Sequence, residues 1–149
     1  IRETVGKDIP IRVDGNQGYD IKTALETLQE MEKLGLQLIE QPIPRENLAG
    51  LRTLSRLLTT PIMADESAYS TKDVIKLIKA GAVDVINIKI MKPGGLYRSK
   101  QVVAICEAAE IPNIIGSMLE TGVGTAAGVH IAAASRNVIY QCEFVGPLS

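Results

Sequence analysis

Three carboxylates follow short apolar runs in this chain. Asp14 comes after Ile11-Arg-Val13, Glu40 after Gln37-Leu-Ile39, and Asp65 after Pro61-Ile-Met-Ala64. If the runs are neighbouring strands, three anionic side chains converge on one point and repel unless a cation lies among them. Hard oxygen donors of this kind suit Mg²⁺ or Mn²⁺, with positions left for water or substrate. The plainer alternative is that each carboxylate caps the helix that follows its strand. A fourth residue, Lys89, lies in Asn87-Ile-Lys-Ile90. Strand alternation puts Asn87 and Lys89 on one face and Ile88 and Ile90 on the other. A lysine inside an apolar strand needs an anionic partner or a substrate. Beside a cation and apolar walls, its pKa is expected to fall toward that of a working base. The alternative is a structural ion pair with Asp65 or Glu143. Lys92, in the loop before Pro93-Gly94-Gly95, reads as solvated.

These residues need elements to hold them. Three further β-branched runs are strand-like: Val85-Ile-Asn-Ile88, Ile114-Ile115 and Val138-Ile-Tyr140. They lead into Lys89, Gly116-Ser117 and Cys142-Glu143. Between the runs, helical periodicity predicts helices over Ile21 to Leu34, Asn47 to Leu58, Thr71 to Ala80, Leu96 to Ala109 and Gly122 to Ser135. The opening residues, Ile1 to Lys7, read as the last turn of a helix with a glycine stop, as in a chain cut from a longer one. Strand and helix in steady alternation imply right-handed βαβ units and a parallel sheet. A polar residue ends each strand at an interval of about 25 residues, and only in a barrel does every strand deliver a side chain to one C-terminal mouth. The expected fold is α/β: six parallel strands with outer helices, part of a barrel whose full form takes roughly 200 residues or more. Val13, Ile39, Met63 and Ile88 are expected on its inner face, and the first and last strands would both be open edges.

Composition narrows the function. The chain has 149 residues, 46% hydrophobic and 22% charged, which suits a globular domain. Lys and Arg number 16, Asp and Glu 17, so the basic excess expected of a nucleic-acid binder is missing. Aromatics are 3% with no Trp, which removes a base-stacking platform. The uncharged stretch Thr121 to Ser135 is too short and too glycine-broken to span a bilayer. Two cysteines make no disulfide framework and fit a reducing, cytoplasmic setting.

Val13-Asp-Gly-Asn16, Glu40-Gln-Pro42, Ala64-Asp-Glu-Ser67 and Asn87-Ile-Lys89, followed by Gly94-Gly95, closely resemble the enolase superfamily, and within it the muconate lactonizing enzyme subgroup. The resemblance runs from the first residues to the last. It implies a modified (β/α)7β barrel, here covering the family's strands three to eight in residues 1–149, with a separate capping domain and the first two strands absent. It also implies a proton taken from a carbon next to a carboxylate, with the enolate held on Mg²⁺ or Mn²⁺. By this resemblance Asp14, Glu40 and Asp65 match the metal ligands, and Lys89 the acid or base of the sixth strand. Asn16 and Glu66 match polar neighbours of the first and third ligands. Ser117 and Glu120 fall where members vary with substrate. Glu143, in Glu143-Phe-Val-Gly-Pro-Leu148, resembles the eighth-strand Glu of muconate cycloisomerases.

The expected function is therefore a metal-dependent cycloisomerase acting on a small carboxylate, as a homo-oligomer. This chain is expected to be inactive alone, because the subgroup's second lysine lies on the second strand. Racemase or epimerase, o-succinylbenzoate synthase and sugar-acid dehydratase chemistry would use the same core. The dipeptide epimerases' Asp-x-Asp is replaced by Glu143-Phe-Val145, which weighs against that activity. A non-catalytic, metal-binding half-barrel is the alternative from another class. A phosphosugar barrel would need phosphate cradles after both of its last strands, and only the loop around Gly122-Val-Gly124 looks suitable. His130, in an Ala-rich helix, and Cys106 and Cys142 read as packing residues.

Overall fold

The computed structural model describes residues 1–146. Five parallel strands lie in chain order in one sheet: β1 (Ile11–Asp14), β2 (Leu36–Glu40), β3 (Ile62–Ala64), β4 (Val85–Ile88) and β5 (Asn113–Ile115). After a short opening helix α1 (Arg2–Val5), the connections are α2 (Ile21–Glu32), α3 (Leu48–Leu57), α4 (Thr71–Ala80) and α5 (Leu96–Ala108), and α6 (Gly122–Ala133) follows β5. Sequential order with a helix after each strand is the expected partial barrel.

Local chemistry explains where the helices begin. Asp20 accepts hydrogen bonds from the Lys22 and Thr23 amides, and Asn47 accepts one from Gly50. Ser70 and Asp73 form a reciprocal capping box on α4. Gly95, at φ 99°, takes the chain into α5 through a conformation that side chains resist. The caps are thus Asp20, Asn47 and Ser70. Asp14, Glu40 and Asp65 cap no helix, which removes the plainer alternative for them.

The sheet has two different faces. Ile39, Ile62, Ala64, Ile86, Ile88 and Ile115 pack with helix residues such as Leu28, Leu51, Leu54, Leu77, Val102 and Cys106 in the main core. On the other face a small separate cluster of Leu38, Met63, Val85 and Ile114 is covered by Tyr140. This smaller cluster is the inner layer of the curled sheet. Strand alternation then places Glu40 beyond Leu38, Asp65 beyond Met63, and Asn87 and Lys89 beyond Val85 on the inner face. Of the residues expected inside, only Met63 is there. Val13, Ile39 and Ile88 face the helices, as the inward placing of Asp14, Glu40 and Lys89 requires of their neighbours.

Among the described residues the sixth strand does not form. Val138 makes one isolated parallel bridge to Asn113. The Asn113 amide bonds the Asn137 carbonyl and the Glu143 amide bonds the Ile115 carbonyl. The stretch from Asn137 to Glu143 is thus set against only Asn113 to Ile115. The excess residues cannot stay in a ladder, and the segment runs past β5 without forming a strand. Side chains hold the segment in place: Arg12 Nη1 donates to the Gln141 carbonyl at 2.8 Å, and Asn137 Nδ2 to the Ile111 carbonyl at 2.7 Å. Pro147 and Leu148 of the last motif lie outside the described residues. Among the described residues, no helix is long and apolar enough to cross a membrane.

Candidate active site

The C-terminal ends of the strands bring four of the expected residues together. In the β1–β2 ladder Asp14 is the direct partner of Glu40. Glu40 pairs with Met63, two residues before Asp65. Glu40 is 6% exposed and Asp65 4%, a depth at which a lone charge is costly. Each is compensated differently. Asn87 Nδ2 donates to Glu40 Oε1 at 2.7 Å. Asp65 carries two lysines: Lys89 Nζ lies 2.5 Å from Oδ2, and Lys92 Nζ 2.5 Å from Oδ1. Asp14 is exposed, and its Oδ1 accepts from the Asn16 amide at 2.8 Å.

The electrostatics follow from this placement. Burial, with the charges of Asp14 and Asp65, raises the Glu40 pKa to about 7 against the pull of Asn87 and Lys89. Burial also pushes Asp65 upward, but Lys92 and Lys89 outweigh it and hold its carboxyl below the ordinary value. Lys89 departs from expectation. Burial lowers its pKa, yet the hydrogen bond and charge of Asp65, with Glu40 and Asp14, raise it above the usual lysine value. The ion pair with Asp65 named as an alternative is therefore present.

The raised Glu40 pKa gives a signed prediction. A carboxyl whose folded pKa exceeds its unfolded value favours the fold in its protonated form. That stability is complete below pH 4.5 and is lost as pH rises to about 7. The depressed Asp65 acts below pH 3.8, outside this window. Thermal unfolding with chelator present should show Tm falling between pH 5 and pH 7.5, and Glu40→Gln should flatten that slope. An unchanged slope in the variant would assign the effect to another group.

The remaining expected residues are placed as follows. Ser117 Oγ donates to Glu120 Oε2 at 2.6 Å; burial pushes the Glu120 pKa up, but this bond, backbone amides and the charge of Lys89 together hold it below the ordinary value. Glu120 therefore senses the same mouth. Glu143 pairs with Arg12 at 3.5 Å rather than with Lys89. Glu66, next to Asp65, lines a separate cleft of about 630 Å³ with Arg45, Ser67, Tyr69, Asp73 and Lys76. Among the described residues, no three His, Cys, Asp or Glu side chains stand drawn up as a metal cage, and Asp65 is turned onto its lysines. The donor set nonetheless fits a hard divalent cation: it is all oxygen, and the charges of Asp14 and Asp65 add to the burial that makes Glu40 resist ionisation.

Two supporting residues escaped the sequence reading. Arg12 is on β1 two residues before Asp14. It donates to Gln37 Oε1, the Gln141 carbonyl and Gln141 Oε1, and lies 6.0 Å from the Tyr140 ring centre. Its place on the Asp14 face of Ile11-Arg-Val-Asp was the available signal. Lys92, expected in solvent, is 7% exposed. It is drawn inward because the turn after β4 bonds the Lys92 amide to the Lys89 carbonyl at 2.9 Å and folds the side chain over Asp65. Gly116 is required by the same packing, since a Cβ there would collide with the Asn87 side chain that holds Glu40. Gly116→Ala is expected to cost about 1–3 kcal/mol, read as a lower urea midpoint. An unaltered midpoint would show that Asn87 can move freely.

Comparison with known proteins places this arrangement. The enolase C-terminal domain-like family matches over residues 1–149. The chain is 44% identical over 139 residues to the hydrophobic dipeptide epimerase of Enterococcus faecalis, covering 93% of this chain and 39% of that protein. It is 40% identical over 147 residues to a chloromuconate cycloisomerase of Cupriavidus necator, covering 99% and 40%. Among solved structures, the L-Ala-D/L-Glu epimerase of Bacillus subtilis in a substrate-liganded complex superposes with a TM-score of 0.95 at 38% identity, covering 99% of this chain and 41% of that one. The chain thus spans about 40% of the length of the curated cycloisomerase. With the family matched along the whole sequence and the inner-face carboxylates and Lys89 at one strand-end mouth, the chain belongs to the enolase C-terminal domain-like family.

Proposed function

We propose that this chain carries the cation site and one acid–base lysine of a cycloisomerase-type isomerase acting next to the carboxylate of a small substrate. The observation that carries the reading is the convergence of Asp14, Glu40 and Asp65 with Lys89 at one mouth. Asp14, Glu40 and Asp65 would hold Mg²⁺ or Mn²⁺. That cation, when bound, supplies positive charge beside the substrate carboxylate and so favours loss of the adjacent proton. Lys89 moves a proton or stabilises charge at its Nζ, which Asp65 and the site's other carboxylates keep charged until the substrate competes for it. Asn87 fixes Glu40 through its amide. Ser117 and Glu120 follow β5, and Glu143, its amide on the Ile115 carbonyl and its carboxylate steadied by Arg12, stands beside the same strand end. Asn16 supports the first carboxylate through its amide, while Glu66, next to the third in sequence, faces the separate cleft.

Dipeptide epimerisation is the second reading, favoured by the 44% identity to the Enterococcus faecalis enzyme. Glu143-Phe-Val145 in place of an Asp-x-Asp weighs against it. Assay of the full-length protein with Mn²⁺ against muconates, hydrophobic dipeptides, N-acylamino acids and sugar acids separates these readings. Lactone formation from a muconate is expected, and turnover of dipeptides alone would overturn the first reading. In isolation the 149-residue chain is expected to be inactive and to self-associate, since β1 is an edge strand of the sheet. A stable, active monomer in sedimentation would contradict that. The whole protein is proposed to be a cytoplasmic homo-oligomer.

A further inference from the structure

Lys92 has a place in the site that the proposed chemistry does not use. Its side chain is 4% exposed and reaches three acceptors. These are Asp65 Oδ1 at 2.5 Å, the Asp65 carbonyl at 2.7 Å and the Asn87 carbonyl at 3.1 Å. An ammonium group has three N–H donors, so all are engaged and none is left for a ligand. Lys89 differs. It meets the other oxygen of the same carboxylate, Asp65 Oδ2, and its side chain is 13% exposed. Two lysines therefore grip one carboxylate from opposite oxygens, one saturated and sealed, the other open to the mouth.

The backbone keeps Lys92 where it is. The Lys92 amide donates to the Lys89 carbonyl, and the Gly95 amide to the Ile90 carbonyl, both at 2.9 Å. Gly94 and Gly95 turn at φ 97° and 99°, which a side chain would resist. Through its contacts Lys92 also ties the end of β3 at Asp65 to the end of β4 at Asn87, the residue that holds Glu40.

We propose that Lys92 is a positioning residue for the cation site: it pins Asp65 by Oδ1 and the carbonyl, leaving Oδ2 as the oxygen that exchanges between Lys89 and a divalent cation. The proposal rests on the reading of Asp14, Glu40 and Asp65 as that site.

The sign of one measurement separates positioning from simple charge. Removing a buried positive charge beside a cation site tightens cation binding if Coulomb repulsion is all that matters. Loss of a strut weakens it. The experiment is titration calorimetry of MnCl₂ alone into the full-length protein, comparing wild type, Lys92→Met, Lys92→Gln and Lys89→Ala, with folding checked by circular dichroism. The Lys89 variant removes the same charge from the other oxygen and serves as the control. The expected result is a Kd at least tenfold weaker for both Lys92 variants, with the Lys89 variant binding as tightly as wild type or more tightly. Folded Lys92 variants with unchanged or tighter binding would overturn the proposal while leaving the cation site standing. Lys92 variants that stay unfolded in saturating Mn²⁺ would make it a folding residue and overturn it too. A wild type that binds no Mn²⁺ would sink this proposal and the cation site together.

Discussion

Asp14→Ala, Glu40→Ala and Asp65→Ala should each weaken Mn²⁺ or Mg²⁺ binding by well over tenfold, about 1.4 kcal/mol or more. The three positions carry the site jointly, because each is a strand-end carboxylate and Glu40 already registers the charge of the other two. The losses should differ in their side effects. Glu40→Ala also strands the buried Asn87 amide, which otherwise donates to Glu40 Oε1. Asp65→Ala is the most disruptive, leaving Lys89 and the buried Lys92 without their carboxylate. An unpaired buried charge costs several kcal/mol, so that variant should also melt lower. Asp14, exposed and at the first strand, should lose affinity with little change in stability. Calorimetry on the three variants checks the first point and thermal unfolding the second. Equal affinity for wild type and all three would place the cation elsewhere.

Lys89→Ala should abolish turnover in the full-length protein, a fall of about 10²–10⁴ in kcat if it transfers the proton, while cation affinity is retained. The distinction is physical. Lys89 touches Asp65 Oδ2 and no other carboxylate at hydrogen-bond range among the described residues, so its removal frees a donor oxygen and takes none away. A variant that keeps most of its kcat would remove Lys89 from the chemistry. One that loses cation binding would make its pairing with Asp65 a structural requirement instead.

Much of this arrangement was legible because it depends on local pattern. The α4 limits, Thr71 to Ala80, follow from Ser70, Asp73 and Gly81, whose capping geometry is as the residue types demand. Asp14, Glu40, Asp65 and Lys89 were readable because each ends an apolar run, and alternation then fixes the face. The same alternation contradicts an inner face built on Val13, Ile39 and Ile88, and counting outward from Asp14 would have placed Arg12 inside. The final segment misled because Val138-Ile-Tyr140 has strand composition, whereas a strand is made by its ladder, and only one bridge forms beside β5. Lys92 was hidden for a different reason. Its sequence neighbourhood of Met91, Pro93 and two glycines is that of a surface loop, and only the turn that carries it back over Asp65 makes it internal. The direction of the Lys89 shift turned on a balance between burial and three nearby carboxylates, a balance that spacing alone does not weigh.

The central claim is that strand-end carboxylates from β1 and β2 and from the end of β3 form one cation site beside Lys89. Anomalous diffraction from crystals of the full-length protein grown with Mn²⁺ tests it most directly. One strong peak is expected at about 2.1 Å from carboxylate oxygens of Asp14, Glu40 and Asp65, with the Lys89 ammonium displaced from Asp65 Oδ2 and still at the mouth. A peak bound by other side chains, or none at these three, would contradict it.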